Sequence, residues 1–272
     1  MVDELARSLR QYTSARVGLD RVGSGLATHE VLDFQMAHAQ ARDAVHATLD
    51  VPSLLGGLRE RGLPVCVLRS TAPDRATYLR HPGMGRALNP ESAASLVAVC
   101  CDVVFVIADG LSALAVARHA LPLLDAVLPL LNNEWSVGPI CMVEQGRVAI
   151  GDPIGAALQA KVSVVLIGER PGLSSPDSLG AYITWGPRSG RTDAERNCIS
   201  NIRPEGLDYA AAARMLAFYI HQALRQKLTG IGLKLAGGFQ KDGIHRSLPR
   251  AESEAETSIR HGAIMMPWRT RI

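Results

Sequence analysis

Beginning at Thr28, apolar positions Val31, Phe34, His38, Ala41 and Val45 recur at three- and four-residue spacing, with Glu30 in the first turn. That period predicts an amphipathic helix capped by Thr28. Asn89-Pro90-Glu91 sets a cap residue, a first-position proline and a favourable negative charge ahead of a second helix through Val99. Between them, the apolar run Leu63 to Leu68 is short enough for a strand. Residues 1–95 are thus expected to form a mainly helical, loop-rich N-terminal region.

The pattern then changes. Short β-branched runs at Val103–Ile107, Ile140–Val143 and Val162–Ile167 alternate with helical stretches at Ser112–Leu131 and Asp152–Ala160. A further strand reads at Ala181–Trp185, and Asp208 caps a last helix running to about Leu228. Such alternation predicts an α/β fold: a Rossmann-like parallel sheet with flanking helices over residues 96–235. Residues 168–180 and 186–206 are rich in Gly and Pro and long for connections in a compact domain, which marks them as functional loops. Residues 236–272 lose hydrophobic periodicity and are expected to be a poorly ordered tail.

Composition narrows the function. The chain has 272 residues, 47% of them apolar, enough for a substantial core. A net charge of +3 spread along the chain, with 4% aromatics, argues against a nucleic-acid surface. The charged N-terminus is not a signal peptide, and the apolar window Leu96 to Ala108, interrupted by Asp102, is too short to span a bilayer. Five cysteines without a C-x-x-C pair read as reduced thiols. Eight dispersed histidines offer no metal site.

Two turns carry candidate chemistry. Asp109-Gly110-Leu111-Ser112 follows a strand and half-resembles a nucleophile elbow, but position 114 is Leu, and a helix cap accounts for the Ser112 hydroxyl. The turn Gly168-Glu169-Arg170-Pro171-Gly172 has phosphate-loop composition without a phosphate-loop fingerprint. Glu169 and Arg170 read either as a surface ion pair or as groups bordering the same crevice as Asp109. Cys198 lacks a histidine within residues 182–220 and reads as a non-catalytic thiol. On these residues alone a nucleotide- or protein-binding module and a Ser112 or Cys198 hydrolase stay open.

Longer strings go further. T-S-A-R-V-G-L-D-R-V-G at 13–23, Y-L-R-H-P-G-M-G-R-A-L at 78–88, G-E-R-P-G-L-S-S-P-D-S-L-G-A-Y at 168–182 and R-T-D-A-E-R-N-C-I-S-N-I-R-P-E-G at 191–206 resemble the ethanolamine ammonia-lyase small (light) subunit. The resemblance implies a radical lyase of ethanolamine catabolism, active only with a barrel-shaped large subunit in a six-plus-six assembly. It also implies adenosylcobalamin sandwiched between the two subunits. The cofactor would carry the conversion of ethanolamine to acetaldehyde and ammonia. The family's cobalamin contacts fall on Val148, Glu169 and Cys198, with no catalytic residue and no protein ligand to cobalt. The absence of D-x-H-x-x-G agrees with a cofactor keeping its own dimethylbenzimidazole base. Pro153 stands where the family usually has an acidic residue, after an Asp152 expected to cap a helix, and the chain runs on beyond Leu235 where relatives are expected to stop. The resemblance points to the cytoplasm, or to a bacterial microcompartment within it, although the N-terminus lacks the longer extension some members use to enter one.

Overall fold

A computed structural model describes residues 8–13, 15–131 and 134–233; the expected tail at 236–272 lies outside the described residues. Two two-residue strands, β1 (Arg21–Val22) and β2 (Gly25–Leu26), form a small antiparallel pair ahead of helix α1 (Thr28–His46). Ala27, not Thr28, occupies the cap position, with no side-chain cap bond. The expected apolar face is also different: Val31 and Phe34 are exposed, while Glu30, Ala37 and Ala44 are buried at seven-residue spacing. Small residues bring α1 against the body, and Glu30 is tolerated inside because it accepts from Arg10 and the Asp20 amide.

Helix α2 (Val51–Glu60) is capped by Asp50, whose side chain accepts from the Ser53 amide. After strand β3 (Val65–Arg69), helices α3 (Arg75–Arg80) and α4 (Pro90–Ser95) follow caps Asp74 and Asn89. Helix α4 stops at Ser95 instead of Val99, because residues 96–101 leave the helix and bond to Leu158 through the Val99 and Cys100 amides. Then come β4 (Val103–Ala108), α5 (Ala113–Leu131), β5 (Ile140–Glu144), α6 (Gly151–Ala157), β6 (Val162–Gly168), β7 (Leu179–Trp185), β8 (Asn197–Ile202) and α7 (Tyr209–Gln226). Asp208 caps α7 as expected, accepting from the Ala211 amide.

The six-stranded sheet has the order β3-β5-β4-β6-β7-β8. Its first four strands are parallel, as the β-α alternation predicts for β4, β5 and β6, but β7 and β8 pair antiparallel, so the sheet is mixed. The reason lies in the connections. A parallel return needs a crossover of a dozen or more residues, usually a helix, whereas residues 169–178 and 186–196 hold no α-helix. The stretch 186–206, read as one loop, contains β8, which carries Cys198. β3, from the N-terminal region, is the opposite edge strand and runs in register with β5.

Strands β4 and β6 are buried along their whole length, as expected for parallel strands covered on both faces. One face packs against α2, α5 and α7, with Phe105, Leu123, Leu124 and Ile220 among the buried residues. The other packs against α6, through Val106, Val143, Ile154 and Val165. Helix α5 is long and apolar enough to cross a membrane, but nine of its residues are buried in this core.

Candidate functional site

The carboxyl ends of β4, β5 and β6 lie side by side. The chain leaves β4 for α5 on one face of the sheet and reaches α6 on the other face after β5. Such a switch in direction opens a crevice at the strand ends. Its walls approach closely: a Cβ on Gly110, whose φ is +57°, would lie 2.3 Å from the Gly168 carbonyl oxygen. The Leu111 amide donates to that same oxygen at 2.9 Å. A hollow of about 390 Å³ results, lined by Tyr78, Arg147, Val148, Glu169, Arg170 and Tyr182 above a floor that includes Gly110 and Ile167.

Val148 and Glu169, expected on separate loops, therefore meet at one hollow. Val148 opens a short 3-10 turn before α6 and packs beside the second core cluster. Glu169 follows β6. Its amide donates to the Ser178 carbonyl, and its Oε2 accepts from the Ser178 hydroxyl and, at 3.2 Å, from the Asn201 amide. Among the described residues it makes no ion pair with Arg170, so the surface-pair reading does not hold. Cys198 does not line the hollow. It sits opposite Tyr182 in the β7–β8 register, where its thiol meets the Tyr182 hydroxyl. Desolvation pushes that thiol up, so nothing prepares it as a nucleophile.

Ser112 is a cap. It is fully buried, donates to the Pro176 carbonyl at 2.9 Å and accepts from the Ala115 amide. Asp109 stands behind the hollow, 2% exposed, accepting from the Gly146 amide at 3.1 Å and facing Arg75 at 3.5 Å. Burial pushes its carboxyl up to about 6, against the lowering influence of Arg75 and of backbone donors. Burial likewise lowers Arg75, so the site penalises both charges. Asp152, expected as a cap, is instead the second residue of α6 and a buried partner of Arg196.

Three hollow residues carry no role in the sequence reading: Tyr78, Arg147 and Tyr182. Tyr78 is fully buried and donates to the Gly146 carbonyl. Two guanidiniums stack on its ring, Arg147 at 4.2 Å and Arg75 at 5.0 Å. Gly85 was their available signal, since a Cβ there would stand 2.8 Å from both Tyr78 and Arg147.

Two of the strings that carry the resemblance, 78–88 and 168–182, thus meet at this hollow. The family model for the ethanolamine ammonia-lyase light chain matches residues 3–234, which include every strand of the sheet and every residue of the hollow. The chain belongs to the ethanolamine ammonia-lyase light-chain family. Similar proteins include ethanolamine ammonia-lyase small subunits of Azotobacter vinelandii, 56% identical over 84% of this chain and 87% of the relative, and of Pseudomonas aeruginosa strain LESB58, 53% identical over 83% and 85%. A small subunit from Pseudomonas fluorescens is 48% identical over 95% of this chain and 94% of its own. At that coverage its likeness runs beyond Leu235, so this light-chain relative does not stop where the sequence reading expected.

Proposed function

We propose that this chain binds one side of adenosylcobalamin as the small subunit of an ethanolamine ammonia-lyase, the large subunit closing the other side and holding the substrate. The observation that carries this reading is the convergence of Val148 and Glu169, from loops after different strands, on one hollow of about 390 Å³. A corrin is far larger than that volume. The hollow suits one wall of a shared site, which is what a subunit of a two-chain enzyme needs. Its lining fits the macrocycle: Val148 and the ring of Tyr182 supply apolar surface, and Glu169 supplies an acceptor for a peripheral amide.

The cobalamin, when bound, supplies the cobalt–carbon bond whose cleavage begins the conversion of ethanolamine to acetaldehyde and ammonia. This chain's residues bind and orient. Ser178 and the Asn201 amide fix the Glu169 carboxylate in advance, so no side-chain ordering is left to oppose binding. Cys198 and Tyr182 form the rim on the β7–β8 side. We further assign the assembly to the six-plus-six form and to ethanolamine catabolism in the cytoplasm.

Coexpression with the large subunit, followed by absorbance titration with adenosylcobalamin, tests the reading. The complex is expected to bind cobalamin and turn over ethanolamine, and the single chain to do neither. Val148→Arg, which fills the hollow with a charged side chain, should abolish binding while the complex still assembles on gel filtration. Turnover by the single chain, or undiminished binding by the variant, would overturn it.

A further inference from the structure

We propose that Arg147 and Arg170 form a phosphodiester subsite in the hollow, which seats the nucleotide tail of the cobalamin on the β5 and β6 side of the crevice. The identity of the ligand rests on the cobalamin reading; the anion preference does not.

The two arginines come from different loops, one after β5 and one after β6, and both line the hollow. Arg147 is held by stacking on Tyr78 and not by a carboxylate. Its Nη2 reaches the Tyr78 carbonyl only at 3.4 Å, and its Nε is buried with no acceptor. A buried donor without an acceptor is costly, on the order of 1–3 kcal/mol, and is rarely left unspent in a folded protein. Among the described residues, neither Arg147 nor Arg170 has an ion-pair partner, and Arg170 makes no side-chain hydrogen bond. Arg75, which also stacks on Tyr78, differs in having partners of its own: it donates to the Val45 and Gly110 carbonyls and faces Asp109, and only its Nη2 is left without an acceptor.

Charge selects the ligand class. Two guanidiniums and the single carboxylate of Glu169 leave the lining with one net positive charge. A phosphodiester carries one negative charge and offers oxygens that match the planar fork of arginine. Cobalamin presents uncharged amides around its ring and a single phosphodiester in its tail. Glu169 suits the amides, and Arg147 with Arg170 suits the tail.

The test compares cobalamin with cobinamide, which keeps the corrin but lacks the nucleotide tail and its phosphodiester, by absorbance titration of the two-subunit complex. Arg147→Gln and Arg170→Gln should each weaken cyanocobalamin roughly tenfold to hundredfold, as expected for a lost charge-assisted bond, and leave dicyanocobinamide within twofold. Arg147→Lys should recover part of the loss, because it restores charge without the fork. Thermal melts matching the wild type would show that the variants fold. Equal losses for both ligands, or no loss for either, would overturn the proposal. A second titration separates it from the cobalamin reading: α-ribazole 3′-phosphate should bind the wild-type complex and α-ribazole should not. Binding of that phosphate by a complex that ignores cobalamin would remove the cobalamin reading and keep the anion subsite. Inorganic phosphate binding as tightly as the nucleotide would remove the nucleotide tail as its ligand.

Discussion

Arg196 closes both guanidinium arms on Asp152, at 2.8 and 2.7 Å, and neither side chain is more than 3% exposed. Thr184 of β7 accepts from the same guanidinium, so the pair clamps the start of α6 to the antiparallel extension of the sheet. Removing Asp152 would leave the buried guanidinium only the exposed Asp193, 3.5 Å from its Nε, and breaking a buried pair costs about 3–5 kcal/mol. Asp152→Ala should therefore lower the unfolding free energy by that amount in urea melts of the complex. A loss under about 1 kcal/mol would mean that water reaches Arg196 and screens it, as at exposed pairs.

Gly110 carries a second expectation. A Cβ there would collide with the Gly168 backbone, and the residue's positive φ disfavours any side chain. Gly110→Ala should separate the turns after β4 and β6, lowering stability by about 1–3 kcal/mol and weakening cobalamin binding to the complex. Near-wild-type melts and titrations would show that the turns can part without consequence.

Asp109 sets a dependence on pH. Its folded-state carboxyl titrates at about 6, above the ordinary value, so between pH 4 and 6 the folded chain holds a proton that the unfolded chain has lost. Its stabilising contribution is full below pH 4 and is lost as pH rises through 6, by at most roughly 3 kcal/mol. Asp109→Asn removes this titration. The stability of the wild type minus that of the variant should fall across this window; a flat difference would show that Asp109 stays ionised against Arg75.

Glu169→Gln keeps the shape of the side chain, and its amide oxygen can take the place of Oε2 as acceptor for the Ser178 hydroxyl and the Asn201 N–H, which puts an NH2 donor where Oε1 would accept from the ligand. The apparent KM for adenosylcobalamin should rise roughly threefold to thirtyfold, and the KM for ethanolamine should stay within twofold. A change confined to the ethanolamine KM would move Glu169 from the cofactor to the substrate side.

Local features were legible because they depend on neighbours in the chain. The caps at Asn89 and Asp208, the parallel strands β4, β5 and β6 and the long helix α5 all follow from spacing and composition, whereas the membership of β3 in the same sheet does not. The turn holding Glu169 was marked by its own Gly- and Pro-rich composition, whereas Val148 came only through the family resemblance. What depends on distant partners was not legible. Periodicity marks Val31 and Phe34 as apolar but cannot say whether anything covers them. β8 buries only Ile199 and Ile202, three residues apart, so it lacks the strict alternation of a strand and can pass for a loop. Tyr78 and Arg147 stand 69 residues apart in the chain, so no local motif announces their stacking.

The placement of Cys198 on the outermost strand has a practical side. It is exposed, one ladder rung from Tyr182, whose ring borders the hollow. A small thiol-reactive fluorophore attached there would sit at the lip of the crevice without displacing any core residue. With the other exposed cysteine, Cys100, replaced by Ser, its emission would follow in real time the arrival of a ligand and the closing of the second subunit.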